Sequence, residues 1–242
     1  MILFPAIDLY DGKAVRLFKG NYAEMTVYSD NPASIGIDFA AAGAKCIHIV
    51  DLEGAKSGTT PNIDTVCRIK KESGLFCEIG GGVRNMDVIK AYIEAGMDRV
   101  ILGTAAVENP DFVRAAVDAY GDKIAVGADL KDGFVAVKGW TEKSALDEMT
   151  FCRRMEEIGV RTLIVTDISK DGAMQGTNHD LYRRLQAAFP AMQIVASGGV
   201  SSLDDVRRLA DTALYGAIIG KAYYTGAISL KEAVLLAGEQ NI

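Results

Sequence analysis

The sequence predicts an α/β protein with a single (β/α)8 barrel, in which eight parallel strands alternate with eight helices. Three observations lead to this prediction. Strand-like apolar runs alternate with helix-like amphipathic segments, the chain is 242 residues long, and its second half repeats the motifs of its first. Eight βα units in about 250 residues is the usual size of a closed barrel. A doubly wound open sheet is the structural alternative.

The predicted strands are short, nearly continuous apolar runs, as expected for a parallel sheet covered on both faces. They span residues 2–7, 45–50, 75–79, 99–102, 124–128, 162–166, 193–196 and 217–219. The predicted helices span residues 32–42, 61–73, 86–95, 110–120, 145–158, 181–189, 206–211 and 230–237. Residues 8–31 are predicted to form a long polar segment, and residues 134–138 a short extra strand within a loop.

An internal repeat predicts that one domain, residues 1–242, consists of two homologous half-barrels, about residues 1–120 and 121–242. Asp51 and Asp167 end equivalent strands and lie 116 residues apart, and the glycine turns that contain Gly82 and Gly199 lie 117 residues apart. Matches in the same order indicate an internal duplication. The halves are not expected to be separate domains, because a half-barrel leaves two open sheet edges.

The composition argues against several classes of protein. A net charge of −6 does not favour nucleic-acid binding, which needs an excess of basic residues. No apolar run is long enough for a membrane-spanning helix, and the first residues lack the basic segment of a signal peptide. The four cysteines form no C-x-x-C pair and are expected to be reduced core thiols. We therefore expect a cytoplasmic protein without nucleic-acid or membrane partners.

Each half carries two glycine turns, one after its third strand and one after its fourth. A turn without Cβ atoms lets a ligand approach the backbone, and the helix that begins behind it favours an anion. In a closed barrel the two pairs of turns lie on opposite sides of the mouth, so we expect two phosphate sites and a small-molecule bisphosphate substrate. The alternative is that the glycines only make tight turns. The residues predicted to bind phosphate are Gly81, Gly82, Gly103 and Thr104 on one side, and Ser197, Gly198, Gly199, Gly220 and Lys221 on the other.

Two aspartates are predicted to lie between these phosphate sites. Asp8 and Asp129 each end an apolar strand, at equivalent places in the two halves. One carboxylate can accept a proton and another can donate one when their surroundings separate their pKa values. This pairing favours an isomerisation that moves a proton, although capping of a loop is the structural alternative. Thr166 is expected to offer its hydroxyl to the substrate.

Other candidate residues lie in loops and inside the strands. Trp140 follows a glycine in a long loop, where it can stack on a flat ligand ring. Arg16 and Arg84 are candidates for holding phosphate or carboxylate groups. No metal site is expected, because neither His48 nor His179 has a histidine or cysteine at ligand spacing. His48 lies within an apolar strand and is expected to line the barrel.

Five motifs together resemble one known family, and the resemblance covers the whole chain. They are P-A-I-D-L-x-x-G-K-x-V-R-L at 5–17, V-D-L-x-G-A at 50–55, G-G-G-V-R at 80–84, T-D-I-x-x-D-G at 166–172 and S-G-G-V at 197–200. They resemble the histidine-biosynthesis isomerases that act on N′-(5′-phosphoribosyl)formimino-5-aminoimidazole-4-carboxamide ribonucleotide. The resemblance implies a (β/α)8 barrel built from two halves, an Amadori rearrangement of an aminoaldose to an aminoketose, no cofactor, and a monomer.

The resemblance also implies catalytic roles. Asp8 is expected to be the proton acceptor and Asp129 the proton donor. Asp171, a further candidate for substrate binding, is a second candidate for the acid, and the sequence does not rank it against Asp129.

Three alternative functions remain open. The cyclase subunit of imidazole-glycerol-phosphate synthase resembles this chain in fold, halves and aspartate pair. It has Cys-Leu-Asp-Val where this chain has A-I-D-L at 6–9, and the V-R-L at 15–17 also favours the isomerase. A dual-specificity isomerase would also convert phosphoribosylanthranilate. A non-catalytic barrel would bind a bisphosphate without turnover.

Overall fold

The computed structural model describes residues 1–18 and 20–238, and within them the chain forms a closed (β/α)8 barrel. The strands in chain order are β1 (Ile2–Tyr10), β2 (Lys13–Phe18), β3 (Asn21–Ser29), β4 (Cys46–Asp51), β5 (Phe76–Gly80), β6 (Arg99–Leu102), β7 (Ile124–Lys131), β8 (Phe134–Val137), β9 (Glu142–Asp147), β10 (Thr162–Asp167), β11 (Gln193–Ser197) and β12 (Gly216–Ile219). Eight parallel strands form the barrel wall in the order β1, β4, β5, β6, β7, β10, β11, β12. Pairing of β12 with β1 closes the ring, so the open-sheet alternative is wrong.

Helices cover the outside of the barrel. Each predicted helix is present, with ends that differ by a few residues. Three short helices follow β4, β6 and β12 directly, and they are too short for the hydrophobic period to predict. None of the helices in the described part of the chain has the length and apolar character needed to cross a membrane. The helices are α1 (Pro32–Ala41), α2 (Leu52–Ser57), α3 (Ile63–Ser73), α4 (Met86–Glu94), α5 (Thr104–Glu108), α6 (Pro110–Tyr120), α7 (Glu148–Ile158), α8 (His179–Ala188), α9 (Leu203–Ala210), α10 (Lys221–Tyr224) and α11 (Leu230–Ala237).

Two antiparallel hairpins lie at the mouth, and the short strand predicted at residues 134–138 is present as β8 in the second of them. Strands β2 and β3 occupy most of the stretch expected to be a polar loop, of which Lys19 lies outside the described residues. Strands β8 and β9 follow β7 in the same manner, so the helix predicted from residue 145 begins only at Glu148. Asp147 ends β9 and caps this helix, because its Oδ1 accepts a hydrogen bond from the Thr150 amide at 2.9 Å.

Apolar side chains fill the barrel and the space between its wall and the helices. The inner cluster includes Phe4, Ile101 and Ile164, while the larger outer cluster packs the other face of the strands against the helices. Burial of each large apolar side chain stabilises the fold by about 1.5–3 kcal/mol. The barrel interior is thus closely packed, and a cavity opens at its mouth. The four cysteines are free thiols; Cys46, Cys77 and Cys152 are buried in the core, as predicted, whereas Cys67 is half-buried.

Candidate active site

A cavity of about 870 Å³ opens at the C-terminal ends of the barrel strands. Its volume is typical of small-molecule sites. Every residue that the sequence predicted for catalysis or binding lines this cavity. They are Asp8, Arg16, Gly81, Gly82, Arg84, Gly103, Thr104, Asp129, Trp140, Thr166, Asp171, Ser197, Gly198, Gly199, Gly220 and Lys221.

Asp8 lies in β1 and is paired with a cation. The hairpin of β1 and β2 places Asp8 opposite Val15, and the next residue, Arg16, brings its Nη1 within 2.9 Å of Asp8 Oδ1. Burial raises the pKa of Asp8, Arg16 lowers it, and the nearby charge of Asp171 raises it again. Asp8 is therefore a buried carboxyl group whose ionised form is stabilised by a fixed partner.

Asp129 lies in β7 and is surrounded by neutral hydrogen-bond donors. Thr166 is its register partner on β10. Burial raises the pKa of Asp129, and side-chain hydrogen bonds from Trp140 and Thr166 lower it, while Asp171 raises it. Asp8 has a cationic partner and Asp129 has neutral ones, so the two carboxyl groups lie in different electrostatic surroundings. Such a difference allows one to act as base and the other as acid.

The first glycine turn is shaped by the loop that precedes it. Gly81 has φ +114° and Gly82 has φ +73°. A Cβ atom at Gly81 would lie 2.2 Å from the Asp51 carbonyl oxygen, and one at Gly82 would lie 1.7 Å from the Gly54 carbonyl oxygen. These glycines are therefore required by close backbone packing as well as by a backbone conformation that favours glycine.

The second glycine turn is packed in the same way. A Cβ atom at Gly198 would lie 2.7 Å from the Asp167 carbonyl oxygen, and one at Gly199 would lie 2.5 Å from the Gly176 carbonyl oxygen. Ser197 ends β11 immediately before this turn. The loops after β4 and β10 therefore support equivalent glycine turns.

Asp51 and Asp167 orient those supporting loops. Asp51 Oδ1 accepts hydrogen bonds at 2.8 Å from the Gly54 amide and from Asn62 Nδ2. Asp167 Oδ2 accepts the equivalent bond from Asn178 Nδ2, also at 2.8 Å. Neither aspartate lines the cavity, and both hold in place the loops on which the glycine turns rest.

Gly103 and Gly220 share an unusual backbone conformation but differ in what surrounds them. Their φ and ψ are −99° and −111° for Gly103, and −105° and −106° for Gly220. A Cβ atom at Gly103 would meet no atom within 4 Å, whereas one at Gly220 would lie 2.0 Å from Arg16 Nη2. Gly103 and Thr104 thus border open space, while Gly220 makes room for the guanidinium group that contacts Asp8.

The remaining predicted side chains are held by neighbouring loops. Arg84 Nη2 donates to the Ala55 carbonyl oxygen at 2.8 Å, and Lys221 Nζ donates to the Gly172 carbonyl oxygen at 3.0 Å. Trp140 has φ +70° and lies close to Gly20, where a Cβ atom would be 3.1 Å from its Cε3. Arg84 and Lys221 therefore have partners in the protein in addition to any ligand.

Two charged side chains inside the barrel, Glu78 and Arg99, were not among the predicted site residues. His48 lines the cavity, as expected, but its Nδ1 also lies 2.7 Å from Glu78 Oε1. Glu78 in turn accepts hydrogen bonds from Arg99 Nε and Nη2 at 2.9 and 2.6 Å. The available signal was a charged residue within each of two neighbouring apolar strands. Within residues 1–18 and 20–238, no group of three histidine, cysteine, aspartate or glutamate residues is arranged to hold a metal ion.

The fold and the cavity define a class of protein: a (β/α)8 barrel whose mouth suits acid–base chemistry on a small phosphorylated molecule. The chain belongs to the family described as histidine biosynthesis protein, whose model matches residues 2–229.

Several curated relatives of the chain carry the name 1-(5-phosphoribosyl)-5-((5-phosphoribosylamino)methylideneamino)imidazole-4-carboxamide isomerase. The chain is 48% identical to the protein of that name from Lactococcus lactis subsp. cremoris, over 100% of this chain and 98% of the relative. It is 47% identical to the one from Clostridioides difficile, over 99% and 100% of the two chains. It is 46% identical to the one from Oceanobacillus iheyensis, over 100% and 99%. In each comparison the similarity thus extends over nearly the full length of both this chain and the relative.

Proposed function

We propose that this protein is a histidine-biosynthesis isomerase that converts N′-(5′-phosphoribosyl)formimino-5-aminoimidazole-4-carboxamide ribonucleotide, an aminoaldose, to the corresponding aminoketose. One observation carries the proposal. Asp8 and Asp129 line one cavity between two equivalent glycine turns, in a chain that is 48% identical over its full length to a protein named as this isomerase. The reaction is an Amadori rearrangement, which needs an acid, a base and a way to hold the sugar.

The proposed reaction begins at the ribose ring. Asp129 donates a proton to the ring oxygen, the bond from that oxygen to C1 breaks, and a Schiff base forms with the attached nitrogen. Asp8 then removes the proton from C2, which gives an enolamine. Tautomerisation of the enolamine places the carbonyl group at C2 and a proton on C1. General acid–base steps of this kind each contribute roughly 10²–10⁴-fold to the rate.

The surroundings of the two carboxyl groups support this assignment. Arg16 stabilises the ionised form of Asp8, which a base requires. Burial and the charge of Asp171 raise the pKa of both carboxyl groups, but Asp129 has neutral hydrogen-bond donors in place of a paired cation, which favours it as the acid. Asp171 lines the same cavity and remains the second candidate for the acid.

The two pairs of glycine turns would bind the two phosphates of the substrate. Gly81, Gly82, Gly103 and Thr104 would hold one phosphate, with Arg84 beside them. Ser197, Gly198, Gly199, Gly220 and Lys221 would hold the other. Trp140 would stack on the imidazole ring, and Thr166 would contact the substrate through its hydroxyl group. The family resemblance supports a cytoplasmic monomer that consists of one domain of two half-barrels and works without a cofactor.

The experiment offers the aminoaldose bisphosphate to the purified protein and follows the absorbance change on ketose formation. We expect Asp8→Asn to lower kcat at least 10²-fold while the affinity for substrate, measured by calorimetry, changes little. The same loss in Asp129→Asn or in Asp171→Asn identifies the acid. Asp111→Asn, an exposed position on α6, is the control and should retain full activity.

Other outcomes separate the alternatives. Binding without turnover by the wild type would favour a non-catalytic barrel. Turnover of phosphoribosylanthranilate in a parallel assay would show dual specificity, and formation of the cyclised imidazole product would favour the cyclase. Chromatography with light scattering tests whether the protein is a monomer.

A further inference from the structure

Three polar side chains form a ladder across the inside of the barrel. Strand register pairs His48 of β4 with Glu78 of β5, and Glu78 with Arg99 of β6. Residues in register on neighbouring strands point to the same face of a sheet. Glu78 has no exposed side-chain surface and Arg99 has 4%, whereas His48 keeps 12% and lines the cavity. The ladder thus runs from the buried interior to the active-site cavity.

The second half of the chain shows that the fold does not require this ladder. The positions 116 or 117 residues later are Ile164, Val195 and Gly216, which are in register on β10, β11 and β12. Ile164 and Val195 belong to the apolar cluster inside the barrel. Because a buried ion pair costs desolvation energy that apolar packing does not, the polar ladder needs a reason other than stability.

The ladder determines which nitrogen of His48 carries the hydrogen. Burial opposes the ionisation of Glu78, but Arg99 and His48 hold the pKa of this carboxyl group below its ordinary value. A carboxylate can only accept a hydrogen bond, so the nearby Nδ1 of His48 must carry the hydrogen. The hydrogen-bonding role of Nε2 then depends on the charge of the ring. Nε2 accepts a hydrogen bond when His48 is neutral and donates one when His48 is charged.

We infer that Glu78 is a positioning residue that acts through His48, holding the imidazole so that Nε2 forms a hydrogen bond with a hydroxyl group of the open-chain sugar. The inference rests on the proposed isomerase function. Arg99 keeps Glu78 ionised, and His48 lines the cavity together with Asp8 and Asp129. The contact holds the sugar between the two aspartates while it is no longer constrained by a ring.

A double-mutant cycle tests the coupling between the two residues. We expect Glu78→Gln and His48→Asn each to lower kcat at least about tenfold, with a smaller change in KM. The double variant should lose no more than His48→Asn alone, because Glu78 acts only through His48. Losses that multiply in the double variant would overturn the inference. Glu148→Gln, which breaks an ion pair with Arg184 outside the cavity, should leave kcat unchanged.

A second variant guards against loss of folding. The double variant Glu78→Val/Arg99→Met removes both buried charges. It also introduces valine at residue 78, because the equivalent residue of the second half is Val195. This variant should unfold at a temperature close to that of the wild type and still show the lowered kcat of Glu78→Gln. A well-folded variant with wild-type kcat would contradict the proposed role.

Nuclear magnetic resonance tests the tautomer without any substrate. The chain contains 2 histidines, so His179→Gln assigns the imidazole signals of His48 directly. The ¹⁵N shifts of neutral His48 should show the hydrogen on Nδ1 in the wild type, and a mixture of tautomers in Glu78→Val/Arg99→Met. If the hydrogen of neutral His48 is on Nε2 in the wild type, the positioning role of Glu78 is refuted, whether or not the isomerase assay succeeds. If the wild type is inactive but shows the expected tautomer, only the proposed function is refuted.

Discussion

Arg16 Nη1 lies 2.9 Å from Asp8 Oδ1, and both side chains are largely buried. Arg16 is therefore bound to a carboxylate of the protein itself, and Gly220 provides the space for its guanidinium group. Burial alone would favour protonated Asp8, which cannot accept a proton. The pKa of Asp8 stays above its ordinary value, and Arg16 offsets part of the effect of burial, because an opposite charge at short range stabilises the ionised form.

The first prediction concerns the pH at which the enzyme gains activity. In Arg16→Met the pKa of Asp8 should rise, because burial is no longer offset by the cation. A base works only above its pKa, so the acid limb of the kcat profile should move to higher pH. Arg84→Met is the comparison: we expect a higher KM and an acid limb in its original place. An unmoved acid limb in Arg16→Met would argue against Asp8 as the base.

The second prediction concerns the alkaline limb. The hydrogen bond from Thr166 lowers the pKa of Asp129, so Thr166→Val should raise that pKa. An acid works only below its pKa, and the alkaline limb of kcat should therefore move to higher pH. Thr166→Ser keeps the hydroxyl group and should retain the wild-type limb. If the alkaline limb of kcat moved to lower pH in Thr166→Val, Asp129 would not be the acid.

The third prediction separates glycines that are required by the fold from glycines that border the ligand. Gly82→Ala places a Cβ atom against the Gly54 carbonyl oxygen at positive φ, and should lower the free energy of unfolding by about 2 kcal/mol or more. Gly103→Ala meets open space and should change it by less than about 1 kcal/mol, yet raise KM. Urea unfolding and steady-state kinetics measure the two effects. Equal stability of both variants would contradict the packing described for Gly82.

The fourth prediction uses the single tryptophan of the chain. Trp140 lines the cavity and its side chain hydrogen-bonds Asp129, so substrate that reaches the cavity should change its fluorescence. Titration of the aminoaldose bisphosphate into Asp8→Asn, which should bind without turnover, should give a saturable change. The same titration into Asp8→Asn/Trp140→Phe should give none. Binding seen by calorimetry with no change in Trp140 emission would place the ligand elsewhere.

The barrel strands could be predicted because strands buried on both faces are continuous apolar runs. Strand β8 of the second hairpin was also predicted, but the hairpin of β2 and β3 was not, because β3 is mostly exposed and lacks that signal. Most site residues were found because they lie near the C-terminal ends of the predicted strands, and the ends of parallel strands meet at one mouth. Strands β1 and β7 continue to Tyr10 and Lys131, so Asp8 and Asp129 lie within them rather than at their ends. The contacts between His48, Glu78 and Arg99 depend on register across three strands, which a single sequence does not contain.

Trp140 lies against Gly20 across the mouth, so the hairpin after β1 and the hairpin after β7 meet above the cavity. Both hairpins also contribute residues to the cavity lining, among them Tyr22 and Thr141. A molecule with a phosphate at each end spans both sides of the mouth and passes between the two hairpins. Their spacing would therefore influence the rates at which substrate enters and product leaves.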